Sequence, residues 1–245
     1  MSTLVIPQRY NGPSRSGNGG WTCGALAQHV VAGEGEAVQV RLMAPPPLDV
    51  ELAVTGDDRE ATAADGERPV AVASLVPSPF TEAAVEPVSW DVALDAQSRY
   101  RGLHDHPFAT CFSCGTGRPA SDGLALRPGP LADRPEVTAC TWVPADDVAG
   151  PDGRVTTEVT WAALDCPGGW SVDLAGRPMV LGTMTARVDA LSRAGVRHVV
   201  MGRVQRQEGR KAWTETALYA LDPAPRLLAR AAAVWIAVDP ATITP

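Results

Sequence analysis

The sequence predicts an α+β fold in two units, each a curved antiparallel sheet wrapping a central helix. Three observations predict it. The order strand, loop, helix, run of strands occurs twice along the 245 residues. Each helix carries almost no charge, so it should be surrounded rather than lie on a surface. The β-like segments after each helix are separated by turn residues, which suits antiparallel neighbours.

The first unit is placed at residues 1–80. TLVIP starts it as a short strand, and RYNGPSRSGNGG follows as a Gly/Ser/Asn-rich loop. GWTCGALAQHVVAG has the length for about three helical turns. AVQVRLM, LDVELAV and RPVAVASLV then read as strands, the last alternating most clearly, with Val70, Val72 and Ser74 opposite Ala71, Ala73 and Leu75. Pro45, Pro46 and Pro47 cannot sit in a central ladder, because proline lacks the N–H. Residues 81–135 are a linker in which only SWDVAL looks locally ordered. The second unit, 136–245, has EVTACTWVP as a strand, AGPDGRVTTE as a loop and VTWAALDC as a helix that Pro167 should end. MVLGTMTARVDAL, RHVVMGRVQRQ, KAWTETALYAL and RLLARAAAVWIAV complete it as strands.

Composition removes several function classes. With 45% hydrophobic and 20% charged residues, the chain can build a sizeable core. A formal charge of −7 argues against a nucleic-acid partner, and Lys211 is the only lysine. No apolar run is long enough to span a membrane. Five cysteines, an odd number, suit a reducing compartment better than a disulfide scaffold, so a cytoplasmic location is expected.

The chemistry centres on WAALDCPGGW, where Asp165 sits in an otherwise apolar helix. A buried carboxylate costs several kcal/mol unless it is paired. It is either a cap on backbone where the helix breaks or a reactive group. Asp165 lies nine residues beyond Thr156, roughly 13 Å along its own helix, too far to share a reacting carbonyl with that helix entrance. An antiparallel neighbour would bring its N-terminus, Asn18-Gly19-Gly20, to the acid. Free N–H groups and the helix dipole there would stabilise an oxyanion. The reciprocal end would pair Thr157 with Ala27 and has no acid.

Three stretches carry a family resemblance: NGGWTCGALAQ, CFSCGTGRPASDGLALRPG and VTWAALDCPGGW. The sequence resembles a tandem (double) hot-dog protein of the acyl-CoA thioesterase superfamily, similar to phenylacetate-pathway-type thioesterases. The resemblance implies hydrolysis of an acyl-CoA or acyl-carrier-protein thioester without a cofactor. It makes Asp165 the general base or nucleophile, with Gly19 as oxyanion donor, Asn18 beside it, and Thr183 and Thr185 available to bond the acid or water. Asn11, Gly20, Trp21 and Trp161 become substrate-binding candidates, and homo-oligomers are compatible with such units. Only one half has the acid and only the other has the glycine pair, so one site per chain is expected. A non-catalytic acyl-thioester binder and an enoyl-thioester hydratase are the alternatives. The hydratase would want a histidine shortly after the acid, and CPGGWSVD has none.

His104, His106, Cys111 and Cys114 have the types and number of a zinc site, but a single C-x-x-C is a weak signal. The two cysteines are read as buried structural thiols and no metal is assigned, with zinc as the alternative. Trp170 and Trp213, like Trp21 and Trp161, either shape an acyl tunnel or fill the core. Arg187, Arg193, Arg197, Arg203 and Arg206 are read mainly as the solvated faces of long strands.

Overall fold

The strands expected in two sheets run together into one. The computed structural model describes residues 2–119 and 121–239. Its elements are β1 (Ser2–Val5), α1 (Gly19–Ala27), β2 (Glu36–Leu42), β3 (Glu51–Gly56), β4 (Glu60–Asp65), β5 (Arg68–Pro77) and α2 (Trp90–Gln97). There follow β6 (Gly129–Pro130), β7 (Val137–Trp142), α3 (Thr157–Gly169), β8 (Met179–Val188), β9 (His198–Glu208), β10 (Lys211–Ala220) and β11 (Arg226–Ala237). The eleven strands are ordered β1-β3-β4-β5-β2-β8-β11-β10-β9-β7-β6. Apart from β6, the order to the left of the β2–β8 pair is repeated in mirror order to its right.

That central pair is antiparallel, with Val38, Gln39, Val40 and Arg41 opposite Ala186, Thr185, Met184 and Thr183. Through it the two expected sheets join edge to edge into one. β2 and β8 each leave an edge in their own half, and pairing the two edges satisfies both rows of backbone groups.

Both long helices lie on one face of this sheet and against each other. A Cβ on Gly20 would stand 2.6 Å from Asp165 Cβ and 2.6 Å from the Trp161 carbonyl, and one on Gly24 2.7 Å from Glu158 Cα. Partner numbers fall along α3 as they rise along α1, so the helices are antiparallel. Gly20-x-x-x-Gly24 lets their backbones approach closely. This contact explains the missing charge on both helices: each is buried between the sheet and the other helix.

Helix α3 runs three residues past the expected stop, through Pro167, Gly168 and Gly169. Proline removes one helical hydrogen bond there, yet tertiary packing overrides the cost. A Cβ on Gly168 would meet Thr214 Oγ1 at 2.7 Å, and one on Gly169 would meet Trp235 at 2.7 Å. The last turn is pressed onto β10 and β11, and Trp170 N–H closes it by donating to the Cys166 carbonyl at 2.9 Å.

The linker is more ordered than its composition suggests. SWDVAL falls in α2, capped by Ser89, and packs on the opposite face of the sheet through Ala93 and Ala96, near Val137 and Met201. Val85 is tied down by its carbonyl, which accepts from Tyr219 Oη at 2.9 Å. Tyr219→Phe deletes that one bond and is expected to lower stability by about 1 kcal/mol, read as a shift in the urea midpoint at unchanged slope. The chain then crosses to the helix face, where the 111–114 turn is held by Phe112 N–H to the Asn11 carbonyl, 2.7 Å, and Ser113 Oγ to the Ala162 carbonyl, 2.9 Å. No helix among the described residues is long and apolar enough to cross a membrane.

Candidate active site

Asn18 starts α1 by accepting the Trp21 N–H on its side-chain oxygen at 2.8 Å. This leaves the N–H groups of Gly19 and Gly20 at the start of the first turn, where a helix has no internal acceptors for them. The Gly20 N–H donates to Asp165 Oδ2 at 3.0 Å, across 145 residues of sequence. The acid is therefore held by the helix entrance of the other half, with the positive end of the α1 dipole directed at it.

Asp165 is only 4% exposed, and Oδ1 has no hydrogen-bond partner among the described residues. Burial pushes its pKa up to about 7, against the opposing pull of the Gly20 N–H; nearby Cys111 raises it further and the Asn18 amide lowers it. A carboxyl group poised near neutrality can take and return a proton.

Beside the acid lies a cavity of about 550 Å³. Gly19, Leu181, Trp170 and Trp235 are among its walls, closed by the loops at 12–17 and 42–46, and Asp165 lines it with Cys111, Cys114 and Cys166. A mostly apolar cavity with a few convergent polar groups is what a small-molecule site requires.

The structure gathers Asp165, Asn18, Gly19 and Gly20. Gly20 differs from its expected role, since its N–H lies on the acid; the Gly19 N–H is the one left for a ligand. Thr183 is not brought to the acid. A bulge between the Thr183–Val234 and Leu181–Trp235 pairs switches the alternation of β8, so Leu181 and Met184 both enter the core. Thr183 and Thr185 face the other way, and Thr185 Oγ1 accepts from Gln39 Nε2 at 3.1 Å.

Asn11, Trp21 and Trp161 are likewise outside the cavity walls. Asn11 is a buried tie, donating to Thr110 Oγ1 at 3.0 Å and accepting from Arg118 at 3.1 Å. Trp21 stacks on Tyr10 at 4.5 Å between ring centroids, and Trp161 fills the α1–α3 crossing beside Gly24. Trp213 lies under the Arg206 guanidinium, 3.7 Å away. Of the four tryptophans named from the sequence, Trp170 alone lines the cavity; Trp235, overlooked there, joins it. The reciprocal end of the helix pair holds an exposed bond from Gln28 Nε2 to Glu158 Oε2, 3.1 Å.

The histidines do not join the thiols. His104 is exposed. Both nitrogens of His106 are engaged: Nδ1 accepts from the Phe108 N–H at 3.0 Å, and Nε2 donates to the Cys114 carbonyl at 3.1 Å. The third thiol near Cys111 and Cys114 is instead Cys166, the residue after the acid. Its place in a helix more than fifty residues away hides it from a spacing search.

In sequence, no family model and no curated protein matches the chain. Solved structures do match its fold over nearly its whole length. One, from Novosphingobium aromaticivorans and provisionally described as a thioesterase, has a TM-score of 0.62 at 13% identity, covering 97% of this chain and 95% of the other. The tesB protein of Mycobacterium avium subspecies paratuberculosis aligns with a TM-score of 0.60 at 11% identity over 97% and 92%. A hot-dog-fold protein of unknown function from Alicyclobacillus acidocaldarius gives 0.54 at 12% identity over 97% and 92%. The chain has a hot-dog fold.

Proposed function

We propose that this chain is a tandem hot-dog thioesterase that hydrolyses an acyl-CoA or acyl-carrier-protein thioester at one composite site. The observation that carries the reading is the Gly20 N–H to Asp165 bond at the wall of an apolar cavity. Asp165 is the general base and Gly19 supplies the oxyanion N–H. Asn18 shapes the helix entrance.

In this mechanism the acyl group occupies the cavity with its carbonyl oxygen toward the Gly19 N–H. Asp165 removes a proton from water as the water oxygen attacks the carbonyl carbon. The tetrahedral oxyanion is stabilised by the Gly19 N–H and the α1 dipole. Collapse breaks the C–S bond, and the proton on Asp165 passes to the departing thiolate. Direct attack by Asp165, forming an anhydride that water then opens, uses the same groups. Neither route needs a bound cofactor. The apolar walls favour a hydrophobic acyl group.

The test is thiol release from acyl-CoAs of short, medium and long chain, with the acid product identified by mass. Turnover of at least one chain-length class is expected. Tight acyl-CoA binding without product would make the protein a binder instead. Hydration of an enoyl-CoA would favour a hydratase, although no histidine is among the cavity's lining residues.

A further inference from the structure

We propose that Cys111, Cys114 and Cys166 form a three-sulfur binding site for a thiophilic divalent cation, and that zinc is the ion it fits. All three sulfurs are buried and lie within 4.8 Å of one another. The Cys111 and Cys166 sulfurs are 3.8 Å apart. Zinc–sulfur bonds of about 2.3 Å in tetrahedral geometry place neighbouring sulfurs about 3.8 Å apart, so this pair already has the spacing of a tetrahedron's edge.

The ligands come from two rigid elements. Cys111 and Cys114 flank a tight turn closed by the Gly115 N–H on the Cys111 carbonyl at 2.8 Å. A Cβ on Gly115 would stand 2.5 Å from the Ala109 carbonyl oxygen, so the turn admits no side chain there. Cys166 is fixed by α3, and the Ser113–Ala162 bond fastens the turn to that helix.

The groups around the sulfurs are the second, independent observation. A buried neutral thiol behaves as a small hydrophobe and has little need of a donor. Here the Asn18 amide donates to Cys111 Sγ at 3.6 Å and the Trp170 indole N–H to Cys114 Sγ at 3.4 Å. Donors directed at sulfur stabilise thiolates and orient them, the usual outer shell of a thiolate metal centre. Asp165 lines the same cavity but falls outside the cluster of ligand atoms, and three sulfurs alone select a soft or borderline cation over magnesium or calcium. All three cysteines also line the cavity, so a water from that side can supply the fourth ligand. The site is a clamp between the 111–114 turn and α3, and it stands whether or not the chain is a hydrolase.

The experiment uses the full-length, reduced chain, stripped by a chelator and titrated with Co²⁺ and then Zn²⁺. Expected are sulfur-to-cobalt charge-transfer absorption and strong tetrahedral visible bands, saturating at about one cobalt per chain and bleached by zinc. Cys114→Ser and Cys166→Ser should each weaken zinc binding at least tenfold in competition with a coloured chelator. Cys140→Ala, a buried thiol outside the cluster, should keep the stoichiometry. A folded wild-type chain giving no charge-transfer band overturns the proposal. So does a band left undiminished in both serine variants, or isolation of a Cys111–Cys166 disulfide whose reduced form takes up no cobalt.

Discussion

Asp165→Asn is expected to lower kcat on the best acyl-CoA by about 10²–10⁴-fold, the usual contribution of a positioned acid–base group. This corresponds to roughly 3–5 kcal/mol of lost transition-state stabilisation. Asparagine has the shape of aspartate and keeps a side-chain oxygen for the Gly20 N–H, so the helix contact should persist. It cannot accept the proton of the attacking water. The loss should therefore fall on kcat, with KM changing much less. The melting temperature should equal or exceed that of the wild type, because a buried acid with one unpartnered oxygen is replaced by a neutral amide. A kcat within threefold of wild type would remove Asp165 from the chemistry. A large fall in melting temperature would mean that the acid has a structural role.

Gly20→Ala should strongly destabilise the protein. The added methyl carbon would stand 2.6 Å from both Asp165 Cβ and the Trp161 carbonyl oxygen, and 3.0 Å from Ala162 Cα. Two of these three are backbone atoms and cannot rotate away, so α1 and α3 must separate. A loss of about 3 kcal/mol or more is expected, at the upper end for overpacking, measured by urea unfolding. Activity should also fall in the fraction that remains folded, because separation draws the α1 entrance away from the acid. Gly150→Ala is the control: its Cβ meets nothing closer than 3.5 Å, and the change should stay within about 0.5 kcal/mol. Equal midpoints for the two variants would mean that the close helix crossing does not limit stability.

The sequence showed the two helices, most of the long strands and the spacing that requires a second helix entrance for Asp165. These follow from local pattern and from the 1.5 Å rise per residue. β4 was missed because REATAAD is short, charged at both ends and rich in alanine, a weak strand former. The expected helix stop at Pro167 gave way to packing on β10 and β11, which no local rule contains. Thr183 was misplaced because one bulge reverses the facing of every residue beyond it. The cavity walls at 12–17 and 42–46 come from loops whose positions depend on the finished sheet. Cys166 was in view as Asp165's neighbour, but the turn that brings two more sulfurs to it is a tertiary event.

The bond between Gly20 and Asp165 has a consequence for how this protein can change. Its donor is main chain, present whatever amino acid other than proline occupies position 20, whereas its acceptor is a single codon's choice. Drift can erase the acid in one step and leave the rest of the molecule intact. It can disturb the donor only by adding bulk, and then the helix pair is damaged as well. Variants that lose the chemistry quietly should therefore concentrate at position 165, and those that lose it together with solubility at position 20. A saturation screen scoring turnover and soluble yield separately would reveal that asymmetry.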